Sequence, residues 1–396
     1  MLHLTKRILL FILVICLLSG CWGRTEVNNI AIVSATGLDL TENDLIRVTL
    51  LLAVPRLVGT SSGNGGGESK LETTAGWVVS EQGKTVTEAY NKLQGKLPRK
   101  IFFSHNRVIV IGEKLAEKGT FPIFDFFIRN RQAQLKSFIL FTKAEAEDVL
   151  NFKPKFEKLA SEVMKGELKV SMGSSVQLGN FITMIMDVGQ EAYAPQITIV
   201  PSKNGENGLD NLMVSKGAAI FQEDKLIGWL NDTETVGLLW IRNEMKEGTL
   251  TVDIPGNLGG GYVSGELANV RSQVLPAAHQ GSIKMDIDFS ALLNVTENTS
   301  KLDLNTPANR TMLSNLFANE VKERMEMLCM KVQQKFHSDI FGFGQIIYKQ
   351  DPQVWHKDYA RKWETLFADM KVDISAKVQL VQTGLLRNGS MEEEMK

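Results

Sequence analysis

One stretch limits everything this chain can become: the apolar run from Ile8 to Leu18, set behind Lys6 and Arg7. As a helix its eleven residues rise only ~16 Å, about half the thickness of a hydrocarbon core. The run is too short to span a bilayer stably. With cations before it and small residues after it, it reads as the h-region of an export signal. The other reading, a short buried helix of the folded body, is disfavoured by its place at the extreme N-terminus. No other stretch approaches the ~18 uninterrupted apolar residues of a spanning helix, so the remainder is expected outside the membrane.

The residues after the run sharpen this reading. Leu18-Ser19-Gly20-Cys21 resembles the bacterial lipobox, a branched apolar residue and two small residues before a cysteine. The order suits the chemistry. The Cys21 thiol takes a diacylglyceryl group as a thioether, and small Ser19 and Gly20 let a peptidase reach the backbone before it. Residues 1–20 are therefore expected to be a signal peptide, with Cys21 the lipidation site. Two acyl chains give stable anchoring where one binds reversibly, since each buried methylene contributes ~0.8 kcal/mol. Cys16 leaves with the signal and Cys21 is blocked by lipid, which leaves Cys329 as the one free thiol. That excludes an intrachain disulfide and any site needing a cysteine pair. Lys plus Arg number 44 against 45 Asp plus Glu, a net charge of -1, so no basic face for nucleic acid is implied.

At 396 residues the chain should hold more than one domain. Strands are expected at Ile30 to Val33, with a turn at Gly37, and from Leu45 to Val54, stopped by Pro55. Gly59 to Gly67 reads as a surface loop. A helix is expected over Thr85 to Leu97, with Val86, Ala89, Leu93 and Leu97 on one face. Val108 to Ile111 is a β-branched run that reads as a buried strand ended by Gly112. A helix at Phe121 to Ile128, a strand at Leu135 to Phe141, helices at Ala144 to Leu150 and Gln177 to Met186, and a strand at Gln196 to Val200 follow. This alternation predicts mixed α/β (α+β) architecture, with mixed sheets flanked by helices in several domains. The polar segment 202–211 reads as a linker between an N-terminal domain, 21–201, of one or two lobes, and a C-terminal domain, 212–390.

Beyond that segment, Lys216 to Phe221 and Lys225 to Trp229 read as a hairpin turning at Glu223-Asp224. Thr249 to Ile254 and Lys284 to Phe289 alternate as half-buried strands do. Thr306-Pro307 reads as a helix start, with Thr as N-cap and Pro at the first position. From there Leu313, Leu316, Phe317, Val321, Met325, Leu328, Val332 and Phe336 keep a 3–4 spacing, so one long helix is expected over Pro307 to Phe336. Lys371 to Gln382 closes the pattern as an alternating strand.

A search for catalytic constellations finds none. His105, His279, His337 and His356 have no helical metal spacing, and no His-Glu-x-x-His occurs. Gly261 to Gly265 puts Ser264 in the wrong place for a nucleophile elbow. Asp286 and Asp288 fall on the wet face of a strand. Arg129 and Arg131 read as helix C-terminal cations or as members of a structural ion pair, in preference to a partner or anion contact. No enzyme activity, cofactor or metal is expected.

The residues taken together resemble a known family. Cys21-Trp22-Gly23-Arg24-Thr25-Glu26-Val27-Asn28-Asn29-Ile30 is similar to the opening of the mature Ger(x)C spore germination lipoproteins, with Gly23 where they commonly carry Asp. His105 to Glu113 resembles their His-x-x-(apolar)-Gly-Glu segment. Gly217 to Leu230 resembles the hairpin that opens their C-terminal domain. Phe341-Gly342-Phe343-Gly344 with Trp355, Trp363 and Phe367 resembles their C-terminal signature. The resemblance implies mixed α/β domains, no catalysis and a role as C subunit of a nutrient germinant receptor. It implies A-type and B-type membrane subunits as partners, the B-type usually taken to bind the nutrient. It places the chain by lipid on the outer face of the spore inner membrane, with a direct small-molecule ligand not expected. The main alternative is a substrate-binding lipoprotein of a transporter, which predicts two similar lobes about a polar cleft. A cell-wall enzyme is a third.

Overall fold

The computed structural model describes Lys6 and residues 29–54, 75–130, 133–170, 175–202, 210–279 and 282–382. The export run, Cys16, Cys21, the 59–67 loop, Arg131 and most of the 202–211 segment lie outside them.

Nine strands make the first sheet. β1 (Ile30–Leu40), β2 (Ile46–Ala53) and β3 (Gly76–Gly83) pair antiparallel in sequence. The other edge of β1 carries β4 (Lys100–Phe102) and then β5 (Val108–Gly112), both parallel to it. β6 (Phe138–Thr142) continues the parallel run, and β7 (Tyr193–Ser202) follows through the Phe141–Gln196 pair. β8 (Asp210–Gln222) and β9 (Lys225–Leu230) complete the sheet antiparallel. Every residue of β5 is buried. A parallel strand is roofed by helices on both faces, which is why its sequence reads as an uninterrupted apolar run.

The two faces can be followed along β5. Ile109 and Ile111 pack with Val33, Leu50 and Leu52 beneath α1 (Val86–Lys96) and α3 (Phe121–Arg129). Val108 and Val110 point the other way, to Ala35, Leu51 and Leu140 beneath α4 (Ala146–Leu150) and α5 (Ala160–Val170). Between β5 and α3 lies the short α2 (Glu113–Lys118), and α6 (Leu178–Met186) packs Phe181 against Phe124. Thr85 caps α1 by accepting from the Glu88 N–H at 3.1 Å.

One expectation changes. Gly37 lies inside β1 and makes no turn. A Cβ there would meet the Ala146 Cβ at 3.2 Å, so the glycine serves the close approach of α4 to the strand. The segment 202–211 joins two paired strands of one sheet, whose ladder runs from Tyr193–Ile220 to Ser202–Asp210. Its Gly, Asn and Ser content suits a hairpin end as well as a linker.

The second sheet has the order β10 (Gly248–Asp253), β11 (Tyr262–His279), β12 (Ser282–Asn298) and β13 (Lys371–Gln382), with β12 and β13 parallel. α7 (Asp232–Ile241), opened by a reciprocal Asn231–Glu234 capping box, and the long α8 (Pro307–Lys331) cover it. A π-helical turn, Val332–Phe336, extends α8 over the predicted range. Leu313, Phe317, Val321, Met325 and Leu328 form its buried stripe. Pro307 starts the helix, but the Thr306 hydroxyl donates to the Asp303 carbonyl at 3.1 Å and caps nothing. Cys329 is buried, which pushes its thiol pKa up and favours the inert protonated form.

Asp39, at the end of β1, holds the start of α4. Its buried carboxylate accepts from Ala146 N–H at 2.7 Å and Glu147 N–H at 3.1 Å. Burial pushes its pKa up to about 6, opposed by those two donors. Gly112 faces it because a Cβ there would collide with the carboxylate. Asp39→Ala strands two donors and should lower stability by about 2–3 kcal/mol in urea denaturation. Glu42→Ala, on the exposed turn nearby, should change it by less than about 0.5 kcal/mol.

Candidate functional site

The predicted lipidation site, Cys21, lies outside the described residues, eight positions before Asn29. Within the described body the most constructed polar site lies where the two sheets meet.

Its centre is Asp339. α8 and its π-helical turn end at His337, which adopts a left-handed conformation (φ 51°), and a short loop reaches Gly342 (φ 76°). The loop folds the Asp339 carboxylate onto the start of α9 (Phe343–Gln350). It accepts from Gly342 N–H at 2.9 Å, Phe343 N–H at 3.1 Å, Gly344 N–H at 2.8 Å and the Trp363 indole N–H at 3.1 Å. These backbone donors are those a helix leaves unpaired at its N-terminus. Burial pushes the Asp339 pKa up to about 6, and the four donors oppose the shift. The carboxylate thus trades a large desolvation cost for charge-assisted bonds.

The same loop is the seam between the sheets. The Asp339 carbonyl accepts from Glu191 N–H at 2.9 Å, and the Gly189 carbonyl from Gln345 N–H at 2.7 Å. The Ser338 hydroxyl donates to the Phe221 carbonyl at 2.6 Å. A Cβ on Gly344 would come within 2.7 Å of the Gly189 carbonyl oxygen and of both Trp355 and Trp363, so only glycine fits. Phe341 stacks on Phe343 at 5.0 Å, and Trp355 packs on Trp363 at 5.1 Å. On the first-sheet side Phe221 meets Phe141 and Phe181 at 4.8 and 5.0 Å. The residues that resembled a family signature therefore do one job together: they dress the Asp339 knot.

Beside the knot runs an open polar cleft of about 600 Å³, whose walls include Asp187, Glu191, Glu223, Lys225, His337 and Glu364. Glu191 accepts from Glu223 N–H at 2.7 Å. Burial pushes its pKa up to about 7, against that hydrogen bond and with help from the neighbouring charges of Asp339, Glu223 and Glu364. Gln222 reaches across to Glu364 at 3.0 Å. These carboxylates bind the junction's own amides.

The other residues weighed in the sequence take structural places. Arg129 pairs with Asp125 at 2.8 Å. Asp286 pairs with Lys284 at 2.8 Å, and Asp288 accepts from Ser375 at 2.7 Å. Ser264 shares a hydrogen bond with Thr251 at 2.8 Å. His105 is exposed near Phe102, and His356 packs on Tyr348. Among the described residues, no group of three or more His, Cys, Asp and Glu could hold a metal. Sequence reasoning missed Asp339 and Glu191. The one local signal was an Asp shortly before a Gly-containing helix start.

Fold and junction define a class: an α/β protein of two unlike sheets, keyed by one buried carboxylate. Comparison with known proteins narrows it. Residues 23–199 match the model described as spore germination protein N-terminal domain, and residues 216–384 that described as spore germination B3/GerAC like, C-terminal. The putative spore germination protein YfkR of Bacillus subtilis (strain 168) is 31% identical over 377 residues, 94% of this chain and 96% of that protein. Spore germination protein KC of the same organism is 24% identical, covering 98% and 97%. The crystal structure of the GerBC protein shares the fold, with a TM-score of 0.56 at 18% identity over 88% of this chain and 97% of that one. The chain belongs to the GerAC-like (Ger(x)C) family of spore germination proteins.

Asp339→Ala leaves four buried donors without an acceptor. It should cost about 3–5 kcal/mol in urea denaturation, with Asp339→Asn in between. Glu191 gives a pH dependence. Its folded pKa of about 7 lies above its ordinary 4.5, so the folded state holds the proton more tightly. Its stabilising contribution is whole below about 4.5 and is lost as pH rises through about 7, by up to about 2 kcal/mol after screening. Glu191→Gln should flatten the fall in Tm between pH 5 and pH 8. An unchanged slope would refute the assignment.

Proposed function

We propose that the chain is a non-catalytic lipoprotein subunit of a spore nutrient germinant receptor. Diacylglyceryl on Cys21 holds it on the outer face of the spore inner membrane, beside A-type and B-type membrane subunits, where it serves receptor assembly or signalling. The observation that carries the reading is Leu18-Ser19-Gly20-Cys21, placed directly before a body that belongs along nearly its whole length to the GerAC-like family. Among the described residues no helix is long and apolar enough to cross a membrane; in this reading the lipid on Cys21 supplies the attachment. Residues 1–20 are removed as the signal, and 21–201 and 212–390 act as the two family domains, joined through the hairpin end at 202–211. Confinement to two dimensions raises the effective concentration of the body at its partners.

The transporter-type alternative called for two similar lobes. The nine-stranded and four-stranded sheets are unlike, which favours a protein-binding role over a hinged ligand trap.

Mass spectrometry of the protein from spore membranes should find diacylglyceryl on Cys21. Cys21→Ser should release the body from the membrane fraction and slow nutrient germination. An unmodified thiol in a membrane-bound, active protein would overturn the reading. Calorimetry with amino acids and sugars should show no tight binding, whereas a micromolar nutrient site would favour the transporter class.

A further inference from the structure

The strand directions place a distinctive surface at one end of the first sheet. β1, β4, β5 and β6 are parallel, so their N-terminal ends share one edge. β2 runs back to that edge, with Ala53 opposite Ile32, and β3 starts there, with Gly76 opposite Ala53. The edge therefore gathers the first described residues at Asn29 and the connecting segments 97–107, 133–137 and 175–177. Phe138 N–H bonded to the Arg107 carbonyl (2.9 Å) and Leu178 N–H bonded to the Ser137 carbonyl (2.8 Å) tie these segments together.

Their charge is one-sided. Arg99, Lys100, Arg107 and Lys136 are exposed, His105 stands among them, and none of the three segments contains an Asp or Glu. None of the four cations forms an ion pair with a described carboxylate. In sequence, residues 22–28 and 55–74 contain equal numbers of acids and bases. The opposite end of the same strands is different: Asp44 pairs with Lys118, and Glu145 with Arg47 and Lys114. In a chain of net charge -1 this cationic edge is a local feature. Trp77, at the start of β3, is 52% exposed beside it, and Leu135 is 48% exposed.

The tether ends at this edge. Asn29 lies eight residue steps beyond Cys21, a reach of at most ~28 Å. We propose that this end of the sheet docks on the anionic headgroup surface of the bilayer, with Arg99, Lys100, Arg107 and Lys136 facing lipid phosphates and Trp77 seated at the interface. The inference rests on the lipid-anchor reading and adds an orientation to it. Exposed charges act over only ~8 Å at physiological salt, so these cations are felt when this face, and no other, turns to the membrane. An exposed Trp beside cations is the residue pairing that membrane interfaces favour.

The test uses the acylated mature protein in vesicles of phosphatidylglycerol or of phosphatidylcholine, read by amide hydrogen exchange. Segments 97–107 and 133–137 should exchange at least fivefold more slowly on phosphatidylglycerol, and the difference should vanish at 0.5 M salt, where the screening length falls to roughly 4 Å. The Arg99→Glu/Lys100→Glu/Arg107→Glu variant, whose Tm should be unchanged, should lose the protection. In the non-acylated Cys21→Ser chain the same charge reversal should weaken flotation with phosphatidylglycerol vesicles roughly 100-fold, since each cation contributes about fivefold. Equal exchange on both lipids, or protection that survives charge reversal, overturns the proposal. So does protection that appears only with the membrane subunits, which would assign the edge to a protein. An acylated chain without lipid-dependent protection defeats the docking face and leaves the anchor standing. A bare Cys21 in a chain that still floats with anionic vesicles does the reverse.

Discussion

A buried carboxylate is costly unless every oxygen lone pair finds a donor, and Asp339 meets that demand with four. Much else follows from satisfying it. Three of the donors are the leading N–H groups of one helix, so the loop before that helix must turn sharply. Gly342 and His337 supply the left-handed conformations that allow it. The fourth donor is an indole, which fixes Trp363 and through it the packing of Trp355. The backbone on either side then reaches the first sheet through Glu191, Gln345 and Ser338. Two sheets that could have been separate bodies are joined by one local hydrogen-bonding problem.

How much of this was legible depends on where each residue's partners lie. The strand Lys371–Gln382 was readable because one face meets the core and the other water, which imposes period two. Val108–Gly112 was readable for the opposite reason, burial on both faces. The helix Val86–Lys96 carried its own cap. By contrast, Tyr262–His279 mixes Gly, Ser, Asn and Ala with few large apolar residues and was missed. So was Asp232–Ile241, whose buried residues surround the helix and leave no amphipathic stripe. Gly37 was misread because its reason for being glycine is Ala146, more than a hundred residues away.

The functional site shows the same division more sharply. The Phe341–Gly344 run and the tryptophans could be recognised as a pattern, but the pattern did not say what they surround. Asp339 is one acid among 45 acidic residues, and its partners include Trp363 and the loop at Glu191. Only the folded chain shows that it is the one the signature encloses. The expectation for Cys21 is the reverse case: it rests on four consecutive residues and needs no fold to be read.

Tether and fold bear on each other through geometry. A lipid on one residue fixes a point and leaves orientation free. A parallel sheet removes that freedom, because parallel strands must all begin at one edge and the returning antiparallel strands must end there. The first described strand enters the sheet at that edge, and the crossovers into β4, β5 and β6 return to the same side. For the docking proposed above, strongly hydrated acidic groups in those returns would oppose contact with anionic lipid. The returns into β4, β5 and β6 carry cations and no acids, whereas the return into β7 carries Asp187 and Glu191. At the far edge, where the same strands end, Arg47 pairs with Glu145 and Lys118 with Asp44. A single direction, set by how the first strand pairs with the fifth, thus separates the cationic edge from the edge where Asp44–Lys118 and Glu145–Arg47 pair.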